Sequence, residues 1–283
     1  MKIHAIQTGT VALTTAWREG VGRGRHRLLH TILDPKWTEP LPIYAFAIEH
    51  PEGVILVDTG ETAQASKRSY FTGWHPGVRA FQEWVEPQEE IGPQLERLGI
   101  RPADVRWVVM THLHTDHAGG LHHFPDNEVL VTRAELEFGS GLRGRLRGYV
   151  ANEHWPIWFE PTVLELEPEP FGPFSESLRL TEAGDVILVP VPGHTPGQIA
   201  VLVEDGDHTV FIGGDSSYTQ ELMLRGIADG VGADDEAERL THERIRAYAA
   251  ANPTVYLVAH DPRTAARLAE RRLVHPVPGK VAA

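Results

Sequence analysis

Five short runs of apolar, largely β-branched residues constrain this chain more than any other feature, because each runs directly into a turn bearing aspartate or histidine. They are 54–57 before Asp58, 107–110 before Thr111 and His112, 186–191 before Gly193 and His194, 209–212 before Asp215, and 254–258 before His260. Unbroken apolar runs of this length belong to strands buried on both faces. Helical patterns are expected between them, over about 77–98, 133–138, 236–251 and 263–272, and Pro253 and Pro262 place His260 on a short loop. Gly206 marks a hairpin between 199–203 and 209–212. Strands joined by both hairpins and helical crossovers predict an α/β sandwich of sheets covered by helices. No linker divides the chain, so residues 1–283 are expected to form one domain. A weak echo between 53–58 and 209–215 suits two similar halves facing one another.

Composition narrows the function classes. With 283 residues, 41% hydrophobic and 23% charged, the chain can bury a sizeable core. It has no cysteine, which excludes disulfides and thiolate metal sites. A net charge of −13 argues against binding nucleic acid through its phosphates. The N-terminus is too polar for a secretory signal, and no stretch approaches the roughly 18 apolar residues of a membrane span. A cytoplasmic protein without a membrane partner is expected.

The histidines carry the chemistry. His112, His114, Asp116, His117, His194, Asp215 and His260 all follow predicted strand ends, where loops of layered α/β proteins form the binding crevice. In extended chain His112 and His114 project to the same side and can hold one ion. Asp116 and His117 come as the chain turns toward Gly119 and Gly120, which aims them at a second. Three imidazoles and a carboxylate leave the open position that a catalytic metal requires. Asp215 can bridge two ions about 3.5–4 Å apart. A lone histidine after a strand is usually a loop residue, but the whole H-x-H-x-D-H string with three further strand-end ligands outweighs that reading. His122 and His123 are placed on a helix beginning near Gly119 and set aside, and His208 is taken as solvated.

The string His112-Leu113-His114-Thr115-Asp116-His117 resembles the defining motif of the metallo-β-lactamase superfamily, and His194, Asp215 and His260 fall in its order. The resemblance covers about residues 40–262. It implies an αβ/βα four-layer sandwich of two facing mixed β-sheets flanked by helices, with the site at one edge. It implies two divalent metals, the first held by His112, His114 and His194, the second by Asp116, His117 and His260, with Asp215 bridging. Asp58 resembles a family position beneath the metals. Zinc is expected for such ligands, with cobalt, iron or manganese as options.

Within that superfamily the reaction can be narrowed. Flavodiiron oxidoreductases carry a glutamate where this chain has His114, so histidine favours hydrolysis. The cysteine-bearing β-lactamases are excluded by composition, and nothing resembles the appendages of the nuclease branches. Tyr218, three residues after Asp215, and the segment 42–58 resemble the N-acyl-homoserine lactonase branch. That resemblance implies opening of lactone rings, foremost N-acyl-homoserine lactones used in quorum sensing, by a metal-bridging hydroxide. Tyr218 would stabilise the oxyanion or the lactone oxygen, and Asp116 would orient the nucleophile or pass on its proton. The alternatives are a thioesterase of the hydroxyacylglutathione hydrolase type, weakened by the short stretch after His260, and a phosphotriesterase or general esterase. A metal-dependent binding module without turnover is disfavoured by the complete ligand set. Phe46, Trp74, Tyr149 and Trp155 are candidates for the wall of an acyl-chain channel, with core or interface packing as the competing reading. The glycine-rich runs 20–26 and 139–148 are read as solvated loops, with a lid or an anion contact as the alternative for the second. Related lactonases use their N-terminal region in a dimer bordering the cleft, so a homodimer is expected.

Overall fold

Alternating side chains along each strand assign one set of residues to the middle of the molecule and the other to its flanks. The computed structural model describes residues 1–24, 26–67, 69–71, 76–146 and 154–274. Among these, the first sheet comprises β1 (Lys2–Leu13), β2 (Leu41–His50), β3 (Gly53–Val57), β4 (Phe81–Trp84), β5 (Val105–Val109), β6 (Glu128–Thr132) and β7 (Thr162–Leu164). Their order is β4-β1-β2-β3-β5-β6-β7. The second sheet comprises β8 (Leu178–Arg179), β9 (Val186–Pro190), β10 (Ile199–Asp205), β11 (His208–Ile212) and β12 (Thr254–Leu257), ordered β12-β11-β10-β9-β8. Both sheets are mixed: β3, β5, β6 and β7 run parallel, as do β11 and β12, while the remaining pairs are antiparallel.

Phe46 and Ile48 of β2 and Ile55 and Val57 of β3 face Val201 and Val203 of β10 and Ile212 of β11 in the central core between the sheets. The intervening Ala45, Ala47 and Leu56 face outward, against Ile91 and Leu95 of the helix Ile91–Arg97. On the other flank, Ile187, Leu202 and Phe211 pack against Ile245 and Tyr248 of the helix Asp235–Ala251. That helix starts where Asp234 accepts hydrogen bonds from the amides of Glu236 and Ala237, both at 3.0 Å. The layers are therefore helix, sheet, sheet, helix, as the resemblance implied.

The echo between 53–58 and 209–215 is real in space. β3 and β11 lie in opposite sheets, and each runs into an aspartate, Asp58 and Asp215, at the same edge of the sandwich.

Several expectations are corrected. The stretch 77–98 is not one helix: after a short 3₁₀ turn it forms β4, which pairs with the edge of β1, and only Ile91–Arg97 is α-helical. Pro87, which lacks a donor and restricts the residue before it, separates the two. The run 20–26 is a loop over 20–24, as expected, and its last residue opens the helix His26–Leu33. The glycine-rich run that begins at Gly139 is helical over Gly141–Leu146. His208 is buried at its hairpin, with Nδ1 on the Asp207 carboxylate at 3.0 Å.

Candidate metal centre and catalytic site

The two halves of the sandwich bring their strand-end loops to one edge, and all seven expected ligands converge there. His112 and His114 follow β5, and Asp116 and His117 sit on the one-turn helix Thr115–Ala118. His194 follows β9, Asp215 follows β11 and His260 follows β12. Gly214 makes the turn before Asp215 possible: its φ is +54°, and a Cβ there would lie 2.5 Å from Thr111 Oγ1.

Ring nitrogens of His112, His114 and His194 face one another, with His114 Nδ1 at 3.0 Å from His112 Nε2 and 2.9 Å from His194 Nε2. Asp116, His117 and His260 form a second cluster, in which His260 Nε2 lies 3.2 Å from Asp116 Oδ2. Asp215 stands between them, 3.3 Å from both His117 Nε2 and His260 Nε2 and 3.7 Å from His194 Nε2. The donor atoms of each cluster lie within 4.8 Å of one another, close enough to share an ion. His117 Nε2 and Asp215 Oδ1 are buried without a hydrogen-bond partner among the described residues. Orphaned buried polar atoms facing one another across a cluster of imidazoles and carboxylates are the mark of a cation site.

The far sides of the His117, His194 and His260 imidazoles are anchored, which fixes their orientation. Asp58 Oδ2 lies 2.7 Å from His117 Nδ1 while the same carboxylate accepts from the Thr111 amide at 2.7 Å and hydroxyl at 2.8 Å. Asp58 does this from a left-handed φ of 60°, which aspartate tolerates better than most residues. Asp229 Oδ2 lies 2.5 Å from His194 Nδ1, and His260 Nδ1 donates to the Pro42 carbonyl at 2.9 Å.

The electrostatics suit divalent cations. Burial, then the neighbouring His194, holds His114 down to about 3, and burial holds His112 well below its ordinary value. Burial also opposes charge on His260, but Asp215 and Asp116 prevail and push it up to about 10. Asp215 is driven well below the carboxylate range, because His260 and His117 overcome its burial. The cluster thus holds His112 and His114 neutral, while the proton that Asp215 and Asp116 draw onto His260 marks where a cation would take its place.

Tyr218 belongs to this site. It is buried, its ring stacks on His260 with centroids 5.1 Å apart, and its hydroxyl accepts a hydrogen bond from Trp17 Nε1 at 2.7 Å. A cavity of about 820 Å³ opens over the cluster, within the range of small-molecule sites. It reaches His114, Asp116, His194, Asp215, Tyr218 and His260 at its floor. Its apolar wall comes from Val11, Leu13, Trp17, Phe81 and Phe138.

That wall is not the one expected. Phe46 is 1% exposed between the sheets, because its position on β2 faces inward. Trp155 packs with Phe159 against the outer core, their rings 5.2 Å apart. Trp74 and Tyr149 lie outside the described residues. Sequence reasoning missed Trp17, Glu61, Glu83 and Asp229. Each is far in sequence from the motif, and only Asp229, flanked by a glycine turn, carries even a weak local signal.

Two facing mixed sheets, outer helices and a histidine–aspartate cluster at one edge define a metallo-hydrolase class. The family model described as the metallo-beta-lactamase superfamily matches residues 38–260, and this chain belongs to that superfamily. It is 35% identical over 198 residues to a probable metallo-hydrolase of Mycobacterium tuberculosis, covering 66% of this chain and 59% of the relative. The chain thus spans about three fifths of that protein's length. It is 27% identical over 244 residues to an N-acyl homoserine lactonase of a Bacillus species, covering 83% of this chain and 88% of the relative. The fold is similar to that of an N-acyl homoserine lactone hydrolase solved with N-hexanoyl-L-homoserine at its catalytic metal centre. That likeness has a TM-score of 0.75 at 23% identity and covers 98% of each chain. The superfamily implies divalent metal ions, which the donor set described above fits. No helix among the described residues is long and apolar enough to cross a membrane.

Proposed function

We propose that this protein is a binuclear metal-dependent hydrolase that opens lactone rings, with N-acyl-homoserine lactones as its substrates. The observation that carries the reading is Tyr218, held by Trp17 and stacked on His260 at the floor of a partly apolar cavity. The lactonase relative, similar over most of both chains, supports it.

His112, His114 and His194 would hold one ion and Asp116, His117 and His260 the other, with Asp215 shared; zinc suits these donors. When bound, two such ions supply Lewis acidity and bring the pKa of water toward neutrality. The residues do the rest. Burial, reinforced by Asp215, Asp229 and Asp116, raises the Tyr218 phenol well above its ordinary value, so it remains protonated. Because its oxygen already accepts from Trp17, its own O–H is free to donate to the oxyanion that develops on the lactone carbonyl. Asp116 accepts the proton of the attacking water. The carbonyl carbon gains the water oxygen, the ring C–O bond breaks, and the proton passes to the departing alkoxide. The product is an open-chain hydroxy acid.

The location we infer is cytoplasmic and the assembly a homodimer. The exposed Leu28, Leu29 and Leu33 on the helix His26–Leu33, beside the cavity, support the latter. Sizing by light scattering at micromolar concentration tests it.

The functional test is ring-opening kinetics of metal-loaded protein on homoserine lactones of graded acyl length, beside δ-lactones, a thioester and a phosphotriester. Efficient opening of the homoserine lactones is expected. Cleavage of the thioester with the lactones left intact overturns the assignment in favour of a thioesterase.

A further inference from the structure

A pair of buried carboxyl groups sits beside the metal cluster and takes no part in the chemistry above. Glu61 follows β3 and is fully buried, whereas Glu83 projects from β4 and is 5% exposed where it lines the cavity. The two side chains hydrogen-bond to each other, which requires a proton between them.

Hydrogen-bond accounting says which residue carries that proton. Glu61 already accepts two bonds, from the Thr62 amide at 2.7 Å and from the hydroxyl of Thr115, the residue next to Asp116. Those donors favour its ionised form. No N–H or O–H of the described residues donates to Glu83; its Oε2 is shut off from solvent, which leaves Oε1 as the oxygen open to the cavity. Glu83 is therefore the protonated member: its O–H donates to Glu61, and its remaining oxygen is left as an acceptor. Burial raises both groups, and the bond between them raises Glu83 further while it lowers Glu61, so Glu83 is the member that keeps its proton longest.

Position makes this acceptor useful. β4 lies at the edge of the first sheet, and Glu83 projects from the face of that strand into the lining of the cavity. Phe81, two residues away on the same strand, also lines the cavity and offers it only hydrocarbon. Tyr218 and His194 line the same cavity. An acceptor fixed in a mostly apolar wall rejects ligands that leave it unpaired, and so discriminates by hydrogen-bond donors.

We propose that Glu83, held by Glu61, is a specificity-determining residue that accepts a hydrogen bond from an N–H or O–H donor carried by the substrate beside its ester. The protein accordingly selects lactones substituted with an amide or a hydroxyl over alkyl lactones of the same shape. This rests on the lactone reading above and names the substituent that the cavity recognises.

The experiment compares metal-loaded wild type, Glu83→Gln and Glu83→Leu on three matched γ-lactones: an α-acylamino lactone, its α-alkyl counterpart with CH₂ in place of N–H, and a 3-hydroxyalkyl one. Glutamine can donate its N–H to Glu61 and keep its carbonyl oxygen as acceptor; leucine can do neither. Wild type is expected to prefer a donor-bearing lactone, and the preferred one says whether N–H or O–H is read. In Glu83→Leu that preference should fall about tenfold, in KM more than in kcat, and Glu83→Gln should restore most of it, with metal content equal in all three. An unchanged preference in Glu83→Leu, a loss as deep in Glu83→Gln as in Glu83→Leu, or a fall in bound metal overturns the inference while leaving the lactonase reading intact. Wild type that opens none of the three overturns both.

Discussion

The indole Nε1 of Trp17 donates to the phenolic oxygen of Tyr218 at 2.7 Å, linking the start of the chain to the loop after β11. A phenol that accepts from an indole must direct its own hydrogen elsewhere, and in this site that means toward the substrate. Tyr218→Phe should lower lactone turnover by about 100-fold, the scale of one lost oxyanion donor. Trp17→Phe should lower it by about tenfold, and only while Tyr218 is present. A double-mutant cycle in kcat with metal content measured alongside checks this; additive losses would separate the two residues.

Asp229 fixes the ring of His194 from behind. Asp229→Asn leaves the shape but weakens the partner at Nδ1, and such changes typically cost 10- to 100-fold in metal affinity. Competition with a chromophoric chelator should show one of two bound ions released at lower chelator concentration, the other held as in wild type.

Removing both ions leaves Asp58, Asp116, Asp215 and Asp229 crowded among five histidines at the edge of two sheets. Chelator-treated protein should lose activity completely and melt at lower temperature, both recovering with about two equivalents of zinc. Recovery with a single equivalent would contradict two cooperating ions.

His242 supplies a pH dependence that the chemistry does not involve. It is buried on the helix Asp235–Ala251, its Nε2 donates to the Ser216 carbonyl at 2.7 Å, and its Nδ1 has no partner among the described residues. Burial holds it down to about 4, so the folded state resists the proton that the unfolded chain takes up near 6.5. The unfolded state then binds more protons as pH falls below 6.5, and stability declines until about pH 4. At pH 5 the loss is about 2 kcal/mol from this residue, at 1.36 kcal/mol per pH unit. Urea unfolding of wild type and His242→Gln should show the difference between them shrinking from pH 8 to pH 5. A constant difference would rule the histidine out.

The seven proposed ligands were legible because strand ends are written locally. An apolar run followed by glycine, histidine or aspartate states both where the chain turns and what it carries there. Glu83 was not legible, because the pattern over 77–98 suits a helix. Its strand forms only through pairing with β1, some seventy residues earlier, and a carboxyl's burial cannot be read from its neighbours in sequence. Phe46 shows the same limit from the other side: alternation places it on a buried face, but which sheet covers that face is a tertiary fact.

The sequence by itself determined the central strands, the proposed ligands at their ends and the edge at which those residues meet, because backbone period and side-chain chemistry are local properties. Only the tertiary structure decided which groups orient those ligands and what lines the cavity above them. Asp229 behind His194, Trp17 on Tyr218 and Glu83 beside Glu61 are contacts between distant segments, and burial gives each its chemical character.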